Sequence, residues 1–85
     1  MNDPQFFGKW VDSITDYDSI RILLYLRQYN PDVKMEDLEK ELGMDKKNLA
    51  LKIANLIDIR MVKYENDGYR LTYSGRIAVN KLMSM

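Results

Sequence analysis

The sequence predicts a mainly α-helical domain with one small β-hairpin. Apolar residues recur at helical spacing in several separate segments, and a capping residue, a glycine or a proline bounds most of them. After Arg60 the apolar period changes to two, on either side of an Asn-Asp-Gly turn at Asn66 to Gly68. These observations favour helices followed by a hairpin, and no internal repeat appears.

The length and composition predict one soluble domain over residues 1–85. A chain of 85 residues with 46% hydrophobic and 31% charged residues is ordinary for a globular protein. It has no basic-then-apolar leader and no run of apolar residues long enough to span a membrane. We therefore expect a cytoplasmic protein without a membrane partner.

Residues 1–14 form an extension or a short helix ahead of the core module, which we place at residues 16–83. Phe6, Phe7 and Trp10 lie at helical spacing in this segment. Two interpretations remain open: these aromatic residues cover the domain's own core, or they form a dimer contact.

Three helices open the core module. Thr15 or Asp16 caps the first, which runs to about Tyr29 and stops at Asn30-Pro31. Its apolar arc comprises Ile20, Ile22, Leu23, Leu24 and Leu26. A short extended piece at residues 33–35, with one β-bridge, precedes a second helix over residues 36–42 that ends at Gly43.

The third helix is expected over residues 46–59, capped by Asp45. A helical wheel separates an inner side from an outer one. The inner side holds Leu49, Ala50, Ile53, Leu56 and Ile57, and the outer side holds Lys47, Asn48, Leu51, Lys52 and Asn55.

The chain closes with the hairpin and a last helix. Strands are expected over residues 61–65 and 69–71. Thr72 caps the last helix, which has Gly75 in its first turn. Its inward residues are Ile77, Ala78, Leu82 and Met83.

The residue types present argue against an enzyme. The chain has no cysteine and no histidine, so disulfides, thiolate or imidazole metal sites and the usual neutral-pH base are excluded. It has no glycine-rich phosphate loop and no recognisable catalytic constellation. The acidic pair in Asp16-Tyr17-Asp18 favours a helix start over a metal site. We expect no metal and no cofactor.

Charge is divided unequally along the chain although the total is zero. Residues 1–42 hold nine acidic and five basic side chains, a net of −4, and residues 43–85 hold eight basic and four acidic ones, a net of +4. Chance partition could produce this division. A polarised molecule can also present one cationic face to phosphate.

The order of these elements resembles the winged helix-turn-helix family of small prokaryotic and archaeal DNA-binding transcription regulators. The segments that carry the resemblance are residues 35–44, residues 45–56, residues 61–64, and Gly68-Tyr69-Arg70-Leu71-Thr72-Tyr73-Ser74-Gly75. The last is similar to the "Tyr-x-Leu-Thr-x-x-Gly" segment that closes the wing in many archaeal members. Two departures are Arg60, where the family usually has glycine, and the acidic wing tip with Glu65 and Asp67.

The resemblance implies a regulator that binds double-stranded DNA as a homodimer, with the third helix in the major groove. Lysines of that helix would meet phosphates, its asparagines would pair with adenine, and Leu51 would touch thymine methyl groups. On the wing, the strand residues are better candidates than the tip. The candidate DNA-binding residues are Lys46, Lys47, Asn48, Leu51, Lys52, Asn55, Lys63 and Arg70.

A second hypothesis is a winged-helix module for protein–protein interaction in a transcription, replication or membrane-remodelling complex. The zero net charge, the acidic wing tip and an exposed Leu51 favour it. The fold alone does not decide between the two functions.

Overall fold

The computed structural model describes residues 16–29 and 33–84. This part of the chain folds into four helices and one antiparallel hairpin, which confirms the predicted class and is compatible with a winged helix fold. The elements are α1 (Tyr17–Tyr29), α2 (Met35–Leu42), α3 (Lys46–Asp58), β1 (Val62–Glu65), β2 (Gly68–Leu71) and α4 (Tyr73–Met83).

The first fifteen residues are not among those described. The predicted N-terminal helix and the aromatic residues Phe6, Phe7 and Trp10 therefore lie outside the described residues. Within the described ranges, no helix has the length and apolar character needed to cross a membrane.

Helix α1 is the central helix of the core. Asp16 precedes it, and its carboxylate accepts a hydrogen bond from the Ser19 amide at 3.2 Å, so Asp16 supplies the predicted cap. Leu23 and Leu26 are completely buried, but Leu24 is 40% exposed. The apolar arc is therefore narrower than predicted, because α1 packs its buried residues to one side and leaves Leu24 toward solvent.

A single β-bridge precedes α2, as predicted. The Tyr69 amide donates to the Val33 carbonyl at 2.7 Å and joins this segment to the hairpin. Helix α2 then ends at Gly43, which has a φ of 62° and donates its amide to the Glu39 carbonyl. A residue with a side chain would be strained in this left-handed conformation, which is why glycine serves here.

Helix α3 begins as predicted, because the Asp45 carboxylate accepts a hydrogen bond from the Asn48 amide at 3.2 Å. At its other end the chain reverses through Arg60, which has a φ of 68°. Arg60 thus takes up the left-handed conformation for which glycine is better suited.

The hairpin pairs β1 with β2 in antiparallel register, with Val62 opposite Leu71 and Tyr64 opposite Tyr69. Its two-residue turn is Asn66-Asp67, and both residues have positive φ, at 55° and 63°. This is the geometry of a type I′ turn, whose twist matches that of the strands it connects.

Helix α4 returns to pack against α1 and β2. Thr72 caps it by accepting a hydrogen bond from the Gly75 amide at 2.9 Å. Two inward predictions are wrong, since Ile77 is 39% and Met83 56% exposed. Val79, which is fully buried, takes the core position instead, because the buried side of α4 runs through Gly75, Ala78 and Val79.

One hydrophobic cluster joins all of these elements. Its largest fully buried members are Ile22, Leu23, Leu26, Leu38, Leu49, Leu56, Val62 and Val79. The buried side of α3 belongs to this cluster, so the opposite side of that helix faces away from the core.

Candidate nucleic-acid interface

The outward face of α3 is rotated slightly from the predicted one. Leu49, Ile53 and Leu56 point into the core. Ala50, which the wheel assigned to the inner side, is exposed, and so is Ala54. Helix α3 contacts the core mainly through the narrow stripe of Leu49, Ile53 and Leu56. Ala50 lies at the margin of that stripe, and its side chain is too short to reach the interior. The exposed residues of the face are Lys46, Lys47, Ala50, Leu51, Ala54, Asn55 and Asp58.

Four predicted contact residues stand on this face. Leu51 lies near its centre with 60% of its surface exposed. Lys46, Lys47 and Asn55 are also exposed, and within residues 16–29 and 33–84 their side chains have no ion-pair or hydrogen-bond partner. Lys47, Leu51 and Asn55 follow one another at four-residue intervals, so they form a continuous row along the helix.

The other two predicted residues of α3 turn sideways toward α1. The Lys52 ammonium lies 3.0 Å from the Asp16 carboxylate, and only 25% of the Lys52 side chain is exposed. Hydrogen bonding to Lys52 is the largest influence that holds the pKa of Asp16 below its ordinary value. Lys52 therefore has an internal partner and does not stand on the open face.

Asn48 makes a parallel contact one turn earlier. Its amide nitrogen Nδ2 donates to the Asp18 carboxylate at 3.3 Å. Asp18 also lies 3.8 Å from Arg21. The two contacts give α3 one flank on which polar groups are already satisfied by carboxylates.

Arg21 links these groups to the turn before α3. It donates to the backbone carbonyl of Leu42, the last residue of α2, at 2.5 Å. The guanidinium also lies 5.5 Å from the centre of the Tyr17 ring, within the range of a cation–π interaction. Arg21 thus connects α1 to the end of α2 and helps to position the turn that leads into α3.

Sequence reasoning missed Asp16, Asp18 and Arg21 as members of this site. The acidic residues Asp16 and Asp18 are visible in the sequence, but there they predict only the start of a helix. That role is correct for Asp16, which also caps α1. Pairing between residues that are thirty or more positions apart leaves no local pattern in one sequence.

The hairpin residues Lys63 and Arg70 share a carboxylate. Both lie beside the same oxygen of Glu65, at 3.4 Å for Lys63 and 3.5 Å for Arg70. Arg70 is partly buried, and its Nε has no hydrogen-bond partner within the described part of the chain. The Glu65 carboxylate, near the tip of the hairpin, therefore neutralises part of the positive charge of Lys63 and Arg70.

The opposite face of the hairpin carries a pair of tyrosines. Tyr64 and Tyr69 lie with their ring centres 4.8 Å apart and the ring planes inclined by 59°. Burial raises the pKa of Tyr69 above its ordinary value. The two rings pack across the hairpin strands, and Tyr64 stays partly in solvent.

Within the described ranges, carboxylate side chains do not gather in the groups of three or more that could hold a metal ion. A shallow depression of about 280 Å³ lies between Met61 and α4, lined also by Ser74, Ile77, Ala78 and Lys81. Lys81 is the single titratable side chain in that lining.

Comparison with known proteins identifies the chain's family. No curated protein matches the sequence. The family model described as "Methanogenesis regulatory protein FilR1, N-terminal domain" matches residues 19–85. This span begins in the first turn of α1 and contains α2, α3, both strands and α4. The chain belongs to the family of the FilR1 N-terminal domain.

Proposed function

We propose that this domain is a winged helix-turn-helix that binds double-stranded DNA and regulates transcription. The observation that carries the proposal is the outward row on α3, where lysine, leucine and asparagine side chains stand in solvent. The order of the helices and hairpin supports it, and so does membership in a family named for a regulatory protein.

Each member of the row suits one feature of a DNA groove. The Asn55 carboxamide can pair with the donor and acceptor edge of adenine in the major groove. Leu51 and the small Ala54 can contact thymine methyl groups, and Lys46 and Lys47 can reach phosphates beside the first turn. The positive end of the α3 dipole favours phosphate at the same place.

The proposal includes a homodimer in the cytoplasm, with no cofactor and no catalytic role. One module of this size contacts a short stretch of duplex, and two copies double the base pairs that can be read. Phe6, Phe7 and Trp10 remain the candidate dimer contact. On the wing, Lys63 and Arg70 are secondary contacts because Glu65 competes with phosphate for both.

The test is fluorescence anisotropy with labelled duplexes of random sequence. We expect binding at about 50 mM salt that weakens steeply toward about 200 mM, as release of counterions requires. Lys47→Glu should weaken binding by about tenfold or more and lower the salt slope by about 1. Lys81→Glu, a reversal of an exposed lysine on α4, is the matched control and should change affinity by less than about twofold.

Two results would reject DNA binding through α3. One is an absence of binding at the lowest salt concentration. The other is equal weakening by the two reversals, which would mean that only the total charge matters and that α3 has no special role.

A second candidate function is recognition of another protein by the same face. Ala50, Leu51 and Ala54 make the centre of the exposed side apolar, which favours contact with a nonpolar partner surface. Leu51→Ser distinguishes the two functions. It should abolish a protein complex that is centred on this residue, whereas it should leave the nonspecific, salt-dependent part of DNA binding intact.

A further inference from the structure

We propose that Asp16 and Asp18 are specificity-determining residues of α3, because they hold Lys52 and Asn48 against α1 and away from a bound duplex. This inference rests on the proposed DNA binding. It assigns the DNA contact to the row of Lys47, Leu51 and Asn55 and excludes the neighbouring flank of the helix.

Two carboxylates at the start of α1 contact two polar side chains of α3. Lys52 and Asn48 lie one turn apart on the same flank of α3, and each meets a carboxylate from the first turn of α1 or its cap. The Asp16–Lys52 separation of 3.0 Å is that of a hydrogen-bonded ion pair. Both acids are thus placed where a phosphate or a base edge would otherwise compete for the same donors.

The competition has a predictable direction. A lysine that leaves a carboxylate to meet a phosphate exchanges one ion pair for another, so it adds little affinity. An asparagine reads adenine through an amide donor and a carbonyl acceptor together, and the contact between Nδ2 and Asp18 competes with that arrangement. Removing either acid should therefore add a DNA contact rather than remove one.

An asparagine substitution at Asp16 isolates this effect from folding. Asp16 also caps α1, and asparagine is as good an N-cap as aspartate, so Asp16→Asn removes the charge and keeps the cap. Asp45→Asn is the matched control. It neutralises an acid at the start of α3 and likewise keeps a cap, but the Asp45 side chain accepts from a backbone amide and holds no lysine.

The experiment is a double-mutant cycle of Asp16→Asn with Lys52→Met, measured by anisotropy on one duplex at about 100 mM salt. Lys52→Met alone should change affinity by less than about twofold, because the lysine is engaged with Asp16. Asp16→Asn should strengthen binding by about five- to tenfold and steepen the salt slope by about 0.9, as one added phosphate contact would. In that background Lys52→Met should remove the gain.

Selection from a pool of randomised duplexes tests Asp18. The Asp18→Ala protein, in which Asn48 Nδ2 has lost its side-chain acceptor, should select sites with a new preference for adenine at one position, about five- to tenfold over the other bases. Sites selected by the Asp45→Asn protein should match those of the unsubstituted protein.

The nuclear magnetic resonance titration of Asp16 supplies a readout without DNA. Its carboxyl pKa should lie below the ordinary value in the unsubstituted protein and return toward that value in Lys52→Met. An unchanged pKa would overturn the inference, because the contact would then be absent in solution.

The outcomes separate the inference from the proposed function. If the unsubstituted protein binds DNA and the two substitutions of the cycle act additively, Asp16 does not restrain Lys52, and the inference fails while DNA binding stands. If no variant binds any duplex at low salt, DNA binding fails and the inference fails with it.

Discussion

At the scale of single residues, two backbone positions limit what the fold can accept. Gly75 lies where α4 approaches the chain before β1, so that a methyl group on it would overlap the Met61 carbonyl. That carbonyl accepts the Thr72 amide at 3.0 Å and cannot move without breaking the contact. Arg60 shows the opposite situation, since a residue with a side chain occupies a left-handed position.

Gly75→Ala should destabilise the domain by about 1–3 kcal/mol, because the added methyl group must displace backbone rather than a flexible side chain. Urea unfolding followed by circular dichroism measures the loss. Ser74→Ala, at the exposed neighbouring position, should change the free energy of unfolding by less than about 0.5 kcal/mol. Equal stability of the two variants would contradict the close approach.

Arg60→Gly should stabilise the domain by about 0.5–1 kcal/mol. Relief of the left-handed strain, about 1–2 kcal/mol, exceeds the entropy that glycine adds to the unfolded chain. Arg60→Ala removes the same charge without relieving the strain, so its stability should not rise. A gain for alanine equal to that for glycine would assign the effect to charge instead of conformation.

At the scale of elements, local chemistry explains why the sequence predicted so much of the fold. Asp45, Thr72 and Gly43 each act within a few residues, and the structure confirms the helix end that each predicted. The predictions that were wrong concern which side of a helix faces the core, not where the helix begins or ends. Whether Ala50 or Ile77 meets solvent depends on how closely a neighbouring element approaches, and periodicity carries no such information.

The wing turn offers a test at this scale. Asp67→Gly should stabilise the hairpin by about 0.5–1 kcal/mol, because Asn-Gly is the preferred pair for a type I′ turn and both turn residues have positive φ. Thermal unfolding measures the change. Asp67→Ala removes the same charge and keeps the strain, so it should give no gain. A higher melting temperature for alanine than for glycine would refute the assignment of this turn.

At the scale of the whole molecule, the candidate site is made by contacts between distant parts of the chain. The sequence predicted the exposed row on α3, since a helical wheel suffices for that. It did not predict that Lys52 and Asn48 turn toward α1, because this arrangement requires the packing angle between two helices. Beside the proposed DNA-binding face, the carboxylates of Asp16 and Asp18 therefore hold two donors that the helical wheel placed on the outward side.

The same pairing predicts a dependence of stability on pH. The folded protein holds the pKa of Asp16 below its ordinary value of about 3.8, so the ion pair stabilises the fold above that pH and is lost as the pH falls through the lowered pKa. Because the Asp16 side chain is 37% exposed, the contribution is about 0.5 kcal/mol.

Urea unfolding at about pH 6 and about pH 3 measures this contribution. Asp16→Asn should lose less stability between the two than the unsubstituted protein does, and Lys52→Met should show the same reduced loss. An undiminished acid sensitivity in both variants would exclude the ion pair as its source.

The bridge between Val33 and Tyr69 has a mechanical consequence. One backbone hydrogen bond joins the hairpin to the segment ahead of α2, and the Lys34 ammonium donates to the Asp67 carbonyl at 2.6 Å near the hairpin's tip. The wing is thus held at its middle and at its end, and both attachments lead to the start of α2. We therefore expect a displacement of the hairpin to shift the start of α2 as well.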